Sequence, residues 1–191
     1  MKNVGILLFD DVEVLDFAGP FEVFSVTGQR EGKGYFNVFI ISEKELIKAV
    51  NGLKIVPDYR LDNHPKLDIL VVPGGYGARV AIKNNKLLKW VNEVSKNSEY
   101  VLSVCTGSLI LAKAGLLNNL EATTHHTCYD LLQELDTTLK LKKRRFIDNG
   151  KIITAAGVSA GIDASMYLIA KIHGEDVSKE TAKYIEYPYY K

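Results

Sequence analysis

The sequence predicts an α/β fold: a mostly parallel sheet with helices on both faces. Three observations carry this. Unbroken apolar runs rich in β-branched residues recur, from Val4 to Phe9, Phe36 to Ile41, Leu67 to Val72 and Tyr100 to Val104, as expected of strands buried on both faces. Segments of helical length separate them. Glycine-rich turns close several of the runs, as in Pro73-Gly74-Gly75. Strands that alternate with helices in this way specify a flavodoxin-like three-layer sandwich.

The elements follow in order. Val4 to Phe9 is the first strand, and the next helix opens at Gly19-Pro20, with proline at an early helical position. Leu46 to Val50 and Leu53 to Val56 flank Asn51-Gly52, the signature of a two-residue hairpin turn. Leu87, Leu88, Val91 and Val94 stripe a helix from Asn85 to about Ser98. Tyr100 to Val104 is a strand, and Gly107 to Ala114 a helix ended by Gly115. A short strand over Ala122 to Thr124 and a helix over Tyr129 to Leu135 come next. Arg145 to Asp148 and Lys151 to Thr154, around Asn149-Gly150, form a second hairpin. Helices over Ala160 to Ile172 and Lys179 to Ile185 end the pattern.

The chain has 191 residues, 47% apolar and 25% charged, with a net charge of +1. This suits one domain spanning 1–191 and points to neither nucleic acid nor an anionic membrane as partner. Two cysteines, no signal-peptide pattern and no apolar run near the roughly 20 residues that span a bilayer imply a cytoplasmic protein. No metal or organic cofactor is expected.

Ligands of such sheets sit beyond the carboxyl ends of the strands. There the string Ser103-Val104-Cys105-Thr106-Gly107-Ser108 runs a strand into a helix with no loop between. A residue at that elbow projects from the top of the sheet, and the helix N-terminus favours a reactive thiolate. Cys105 is therefore the candidate nucleophile; the alternative is a small buried core residue. Asp16, in an apolar stretch, reads either as a partly desolvated acid with a raised pKa or as a helix N-cap. Gly74 and Gly75 read either as backbone donors to a developing negative charge or as a tight turn. His125 reads as a residue of the site rim or as an ordinary loop histidine. Gly157 and Val158, where the last long helix begins, read as backbone walling the pocket above Cys105 or as a glycine-bearing start that lets the helix pack closely on the sheet. Glu13 reads as a solvated loop charge, Cys128 as a packing residue, and Tyr184, Tyr187, Tyr189 and Tyr190 as a surface or dimer-packing cluster.

The segments LLFDDVEVLDFAGPFEVF, VVPGGYG, SVCTGSLILAKAGLL, ATTHH and AAGVSAGID, in this order, resemble the ThiJ/PfpI superfamily over essentially the whole chain. The resemblance implies a domain of the class I glutamine amidotransferase-like type. The likeness is greatest to its isocyanide hydratase branch and to the amidase-like domains fused to AraC-type regulators. The resemblance implies a homodimer acting on a small-molecule substrate. It also implies Cys105 as nucleophile, Asp16 as its acidic partner, Thr106 as the threonine after the nucleophile and Gly75 as a backbone donor. The function implied is conversion of isocyanides to N-formamides. Glyoxalase, amidase or deglycase chemistry on carbonyl compounds, and a non-catalytic redox sensor, are the alternatives. Two departures matter. Thr106 stands where the proteases carry histidine, so no Cys–His dyad is expected there. His126 stands where the hydratases often carry tryptophan, which bears on the pocket wall. The chain length leaves no room for a helix-turn-helix module, so no DNA binding is expected.

Overall fold

The computed structural model describes residues 1–29 and 32–188. Seven strands form the main sheet: β1 (Lys2–Leu8), β2 (Phe36–Ser42), β5 (Tyr59–Arg60), β6 (Ile69–Val72), β7 (Tyr100–Val104), β10 (Phe146–Asp148) and β11 (Ile152–Ala155). Their order is β10-β11-β7-β6-β1-β2-β5. Every pairing is parallel except that of β10 with β11. Two small pairs complete the strands: β3 (Ile47–Lys48) with β4 (Lys54–Ile55), and β8 (Glu121–Ala122) with β9 (Lys140–Leu141).

Helices cover both faces. α1 (Val14–Val26), α6 (Ala160–His173) and α7 (Glu175–Tyr184) pack on one. α2 (Ala78–Ala81), α3 (Asn85–Asn97), α4 (Gly107–Lys113) and α5 (Tyr129–Leu135) lie on the other. The flavodoxin-like sandwich follows from the chemistry of the runs: the last five residues of β1, all of β6 and the last four of β7 are buried, so they need an apolar layer above and below. Among the described residues no helix is long and apolar enough to cross a membrane.

Three local differences from the sequence reading have physical causes. The first helix starts at Val14, and Pro20 lies inside it. Pro20 has no N–H to give the Asp16 carbonyl, yet the buried Phe17, Val23 and Phe24 hold the helix against the sheet. Asp16 is accordingly in the first turn, and the N-cap position is Glu13, so the N-cap reading of Asp16 fails. The second hairpin turns one residue later than expected. Asn149 N–H donates to the Ile152 carbonyl at 3.0 Å, which makes Gly150 and Lys151 the central pair. Gly150 has φ 89°, and the Asp148 carboxylate accepts its N–H at 2.7 Å. The short strand near Ala122 covers Glu121–Ala122, because the Thr123 N–H donates to Thr154 Oγ1 instead of to a strand partner. The first hairpin differs too: Asn51 (φ 62°) and Gly52 (φ 89°) are left-handed, but Ile47 pairs with Ile55, Lys48 with Lys54, and the Ala49 N–H donates to the Leu53 carbonyl at 2.8 Å, so the loop is the three residues Val50, Asn51 and Gly52 and not the expected two. The Tyr189 and Tyr190 packing expectation lies outside the described residues.

The sheet order reverses between β1 and β6: β2 and β5 lie on one side of β1, while β6 and β7 lie on the other. Neighbouring connections leave this point on opposite faces, and a crevice opens at the strand ends. Asp16 follows β1, Gly74 and Gly75 follow β6, and Cys105 follows β7.

Candidate active site

Cys105 joins β7 to α4 with φ 55°, a left-handed backbone that a non-glycine residue adopts only at a cost of order 1 kcal/mol or more. Four hydrogen bonds impose it. Its N–H donates to the carbonyls of Ala156 (2.8 Å) and Ala155 (3.1 Å). Its carbonyl accepts from Thr124 Oγ1 (3.0 Å) and Ser108 Oγ (3.1 Å). The sharp turn brings the helix start onto the neighbouring strand. A Cβ on Gly107 would stand 2.0 Å from the Val72 carbonyl oxygen, so only glycine fits there.

Asp16 is fully buried. Its Oδ2 accepts the Gly74 N–H at 2.9 Å, and among the described residues no hydrogen bond reaches Oδ1. Burial pushes its pKa up to about 7, and the charge of Glu13 adds to this. The Gly74 N–H and the Cys105 thiol act in the opposite sense, so the thiol is a direct neighbour of the carboxyl group. Cys105, 6% exposed, is pushed up to about 12, first by burial and then by the Asp16 carboxylate. The backbone N–H groups of Thr106 and Val158, and the Thr106 hydroxyl, favour the thiolate but do not prevail. The expected low-pKa thiol is therefore corrected: in this apolar crevice desolvation outweighs the pull of the short helix α4. The carboxyl group and the thiol form one coupled pair. Its first proton leaves near neutral pH and its second far above.

The Gly74-Gly75 reading is also corrected. Both N–H groups are already engaged, Gly74 by Asp16 and Gly75 by Thr106 Oγ1 at 2.9 Å. The Thr106 hydroxyl in turn donates to the Gly75 carbonyl at 3.1 Å. Gly75 has φ 113°, and a Cβ there would meet the Glu13 nitrogen at 2.4 Å, so this turn ties α1, β6 and the elbow together. The backbone donors that do act at the sulfur are Thr106 and Val158. Val158 is itself strained, with φ 43° on a β-branched residue.

A cleft of about 190 Å³ opens over the sulfur, lined by Cys105, Thr106, Gly75, His125 and Val158. Glu13, Tyr76, Arg79, Thr127 and Cys128 complete it. Gly157 lies against the His125 ring. His125 Nδ1 pairs with Thr127 Oγ1 at 2.8 Å, and burial, then His126 and the Arg79 charge, lower the imidazole pKa below its ordinary value. No hydrogen bond joins either histidine to Cys105 among the described residues. Glu13, expected as a solvated charge, lies on the cleft wall. Cys128 is buried, as expected, yet its sulfur accepts from Arg79 Nη2 at 3.1 Å. Arg79, Tyr76 and Thr127 were not identified from the sequence; the only available signal was their closeness to the PGGYG and ATTHH segments. Among the described residues no cluster of three or more His, Cys, Asp or Glu could hold a metal ion.

Comparison with known proteins agrees with this architecture. A sequence profile of the DJ-1/PfpI family matches residues 2–171. The chain belongs to the DJ-1/PfpI family. It is 33% identical over 187 residues to an isonitrile hydratase of Pseudomonas putida, a match covering 97% of this chain and 78% of that protein. It is 28% identical to the HTH-type transcriptional regulator GbdR of Pseudomonas aeruginosa over 93% of its own length, and spans about half (48%) of that regulator. Among solved structures, a ThiJ/PfpI family protein from Pseudomonas syringae superposes with a TM-score of 0.90 at 28% identity. That superposition covers 98% of this chain and 75% of the other. The DJ-1/PfpI family thus includes both enzyme-like and regulator-like relatives of this chain.

Proposed function

We propose that this DJ-1/PfpI protein hydrates isocyanides to N-formamides, with Cys105 as nucleophile and Asp16 as proton carrier. The observation that carries the reading is the coupled pair itself: a buried carboxyl group of pKa about 7 beside a thiol at a strained elbow. Such an acid exchanges a proton readily in either direction at neutral pH.

The steps balance as follows. The thiol proton passes to the Asp16 carboxylate as the sulfur bonds to the terminal isocyanide carbon. Asp16 then delivers that proton to the same carbon, leaving a thioimidate on Cys105. Water adds to the thioimidate carbon; Asp16 takes one of its protons and passes it to nitrogen. The C–S bond breaks, the second water proton returns to the sulfur–carboxyl pair, and the N-formamide leaves. The Thr106 and Val158 N–H groups stabilise the sulfur whenever it carries charge. Thr106, through Gly75, holds the turn whose Gly74 N–H aligns Asp16. The His125 ring shapes the wall, with Gly157 packed behind it.

The same reading takes the chain as one domain acting as a cytoplasmic homodimer. A redox-sensing role is less well supported, because a thiol raised to about 12 presents little thiolate to peroxide. The isonitrile hydratase relative supports the isocyanide over carbonyl substrates. The test is steady-state turnover of para-substituted phenyl isocyanides, followed by formamide absorbance. Saturable, enzyme-dependent formamide formation is expected. No turnover of any isocyanide, together with turnover of a glyoxal or an amide, would replace this reading by carbonyl chemistry.

A further inference from the structure

The cleft over Cys105 contains a cation for which the hydration chemistry has no use. Arg79, on α2, lines the cleft, and its side chain is held on two sides. Nη2 donates to the buried Cys128 sulfur at 3.1 Å, and the guanidinium carbon sits 5.8 Å from the centre of the Tyr76 ring. Neither partner neutralises it: a thiol sulfur is a weak acceptor, and a ring face attracts the cation while leaving its charge in place. Among the described residues Arg79 has no carboxylate partner, whereas Arg60 pairs with Glu45 and Arg145 with Asp163. The charge is felt at His125, whose pKa it helps to lower after burial and His126. Glu13 is the opposing charge on the wall, and it acts on Asp16 and His125. An exposed guanidinium anchored at Cys128 and Tyr76, with spare N–H donors in the cleft that holds the nucleophile, suits capture of a carboxylate.

We propose that Arg79 forms an anion-binding subsite in the Cys105 cleft and selects substrates that carry a carboxylate. For the reaction above, the substrate class is then a carboxylate-bearing isocyanide. That substrate assignment rests on the hydratase reading; the anion subsite does not.

The test separates the two. Cys105 in the full chain is alkylated with anionic iodoacetate and with neutral iodoacetamide, and peptide mass spectrometry locates the label. Both reagents form the same kind of S–C bond and expel iodide, so the rate ratio isolates the effect of charge. Arg79→Met is expected to lower the iodoacetate-to-iodoacetamide ratio about fivefold, as befits one partly screened charge, and Arg79→Lys to retain most of it. Added salt narrows the difference between wild type and Arg79→Met. The iodoacetamide rate reports whether each variant keeps the elbow intact. A ratio unchanged in Arg79→Met overturns the subsite whatever the enzyme turns over. In parallel, 4-isocyanobenzoate and 4-methylphenyl isocyanide are compared as substrates. Arg79→Met is expected to raise KM for the benzoate alone. Equal effects on both would overturn the substrate class. A shifted alkylation ratio with no turnover of either compound supports the subsite and removes the hydratase reading.

Discussion

Cys105→Ser is expected to reduce kcat/KM for a phenyl isocyanide at least about a thousandfold, close to the background reaction. The hydroxyl is isosteric enough to keep the elbow, whose backbone is set by the Ala155, Ala156, Ser108 and Thr124 hydrogen bonds and not by the sulfur. It is a far weaker nucleophile toward the isocyanide carbon, and its proton lies still further above the Asp16 pKa. Unchanged circular dichroism and an unchanged unfolding midpoint confirm that the loss is chemical. A Cys105→Ser variant that keeps a tenth or more of the activity would show that the thiol is not the nucleophile.

Asp16→Asn separates activity, thiol reactivity and stability. Loss of the proton carrier is expected to lower kcat by about a hundredfold to ten-thousandfold. The same substitution removes the negative charge that disfavours the Cys105 thiolate, so iodoacetamide should alkylate Cys105 faster in the variant above pH 7. Activity falls while thiol reactivity rises. Stability moves in a third, pH-dependent way. The carboxyl group titrates near its ordinary value in the unfolded chain and near 7 in the folded one. Below pH 4 both states hold the proton and nothing is lost. From pH 4 to 7 the unfolded chain releases its proton while the folded one retains it, so wild-type stability declines as pH rises. Above pH 7 the full deficit is present, of order 2–4 kcal/mol for a shift of this size. Asp16→Asn abolishes that slope and is expected to unfold several degrees higher than wild type at pH 8, with no advantage at pH 4. Equal stabilities at both pH values would mean that Asp16 is not a buried acid of raised pKa.

Much of this site could be read along the chain, because its main residues lie at strand ends that apolar runs announce. Cys105 stood out because Tyr100 to Val104 meets Gly107 with no room for a loop. Asp16 was ambiguous for a local reason: Pro20 suggested a later helix start, which tertiary packing of Phe17 and Phe24 overrides. What the sequence could not convey depends on long-range contacts. The Gly74 and Gly75 donors are consumed by side chains 58 and 31 positions away. The thiol pKa is set by how deeply the crevice is covered, a property of the whole sandwich. Arg79 sits on a four-residue helix with no amphipathic signal, and only the fold brings it to Cys128. The one-residue shift of the second turn reflects the Asp148 carboxylate outcompeting the Asn-Gly preference.

The shared proton between Asp16 and Cys105 is the centre of the account, and the pH dependence of kcat/KM for a neutral isocyanide tests it most directly. The reactive form has lost one proton from the pair, so kcat/KM should rise with a midpoint near pH 7 and then stay level to at least pH 9. A profile that is flat from pH 5 to 9, or one whose rise continues unbroken through pH 9 as for a simple thiol, would contradict it.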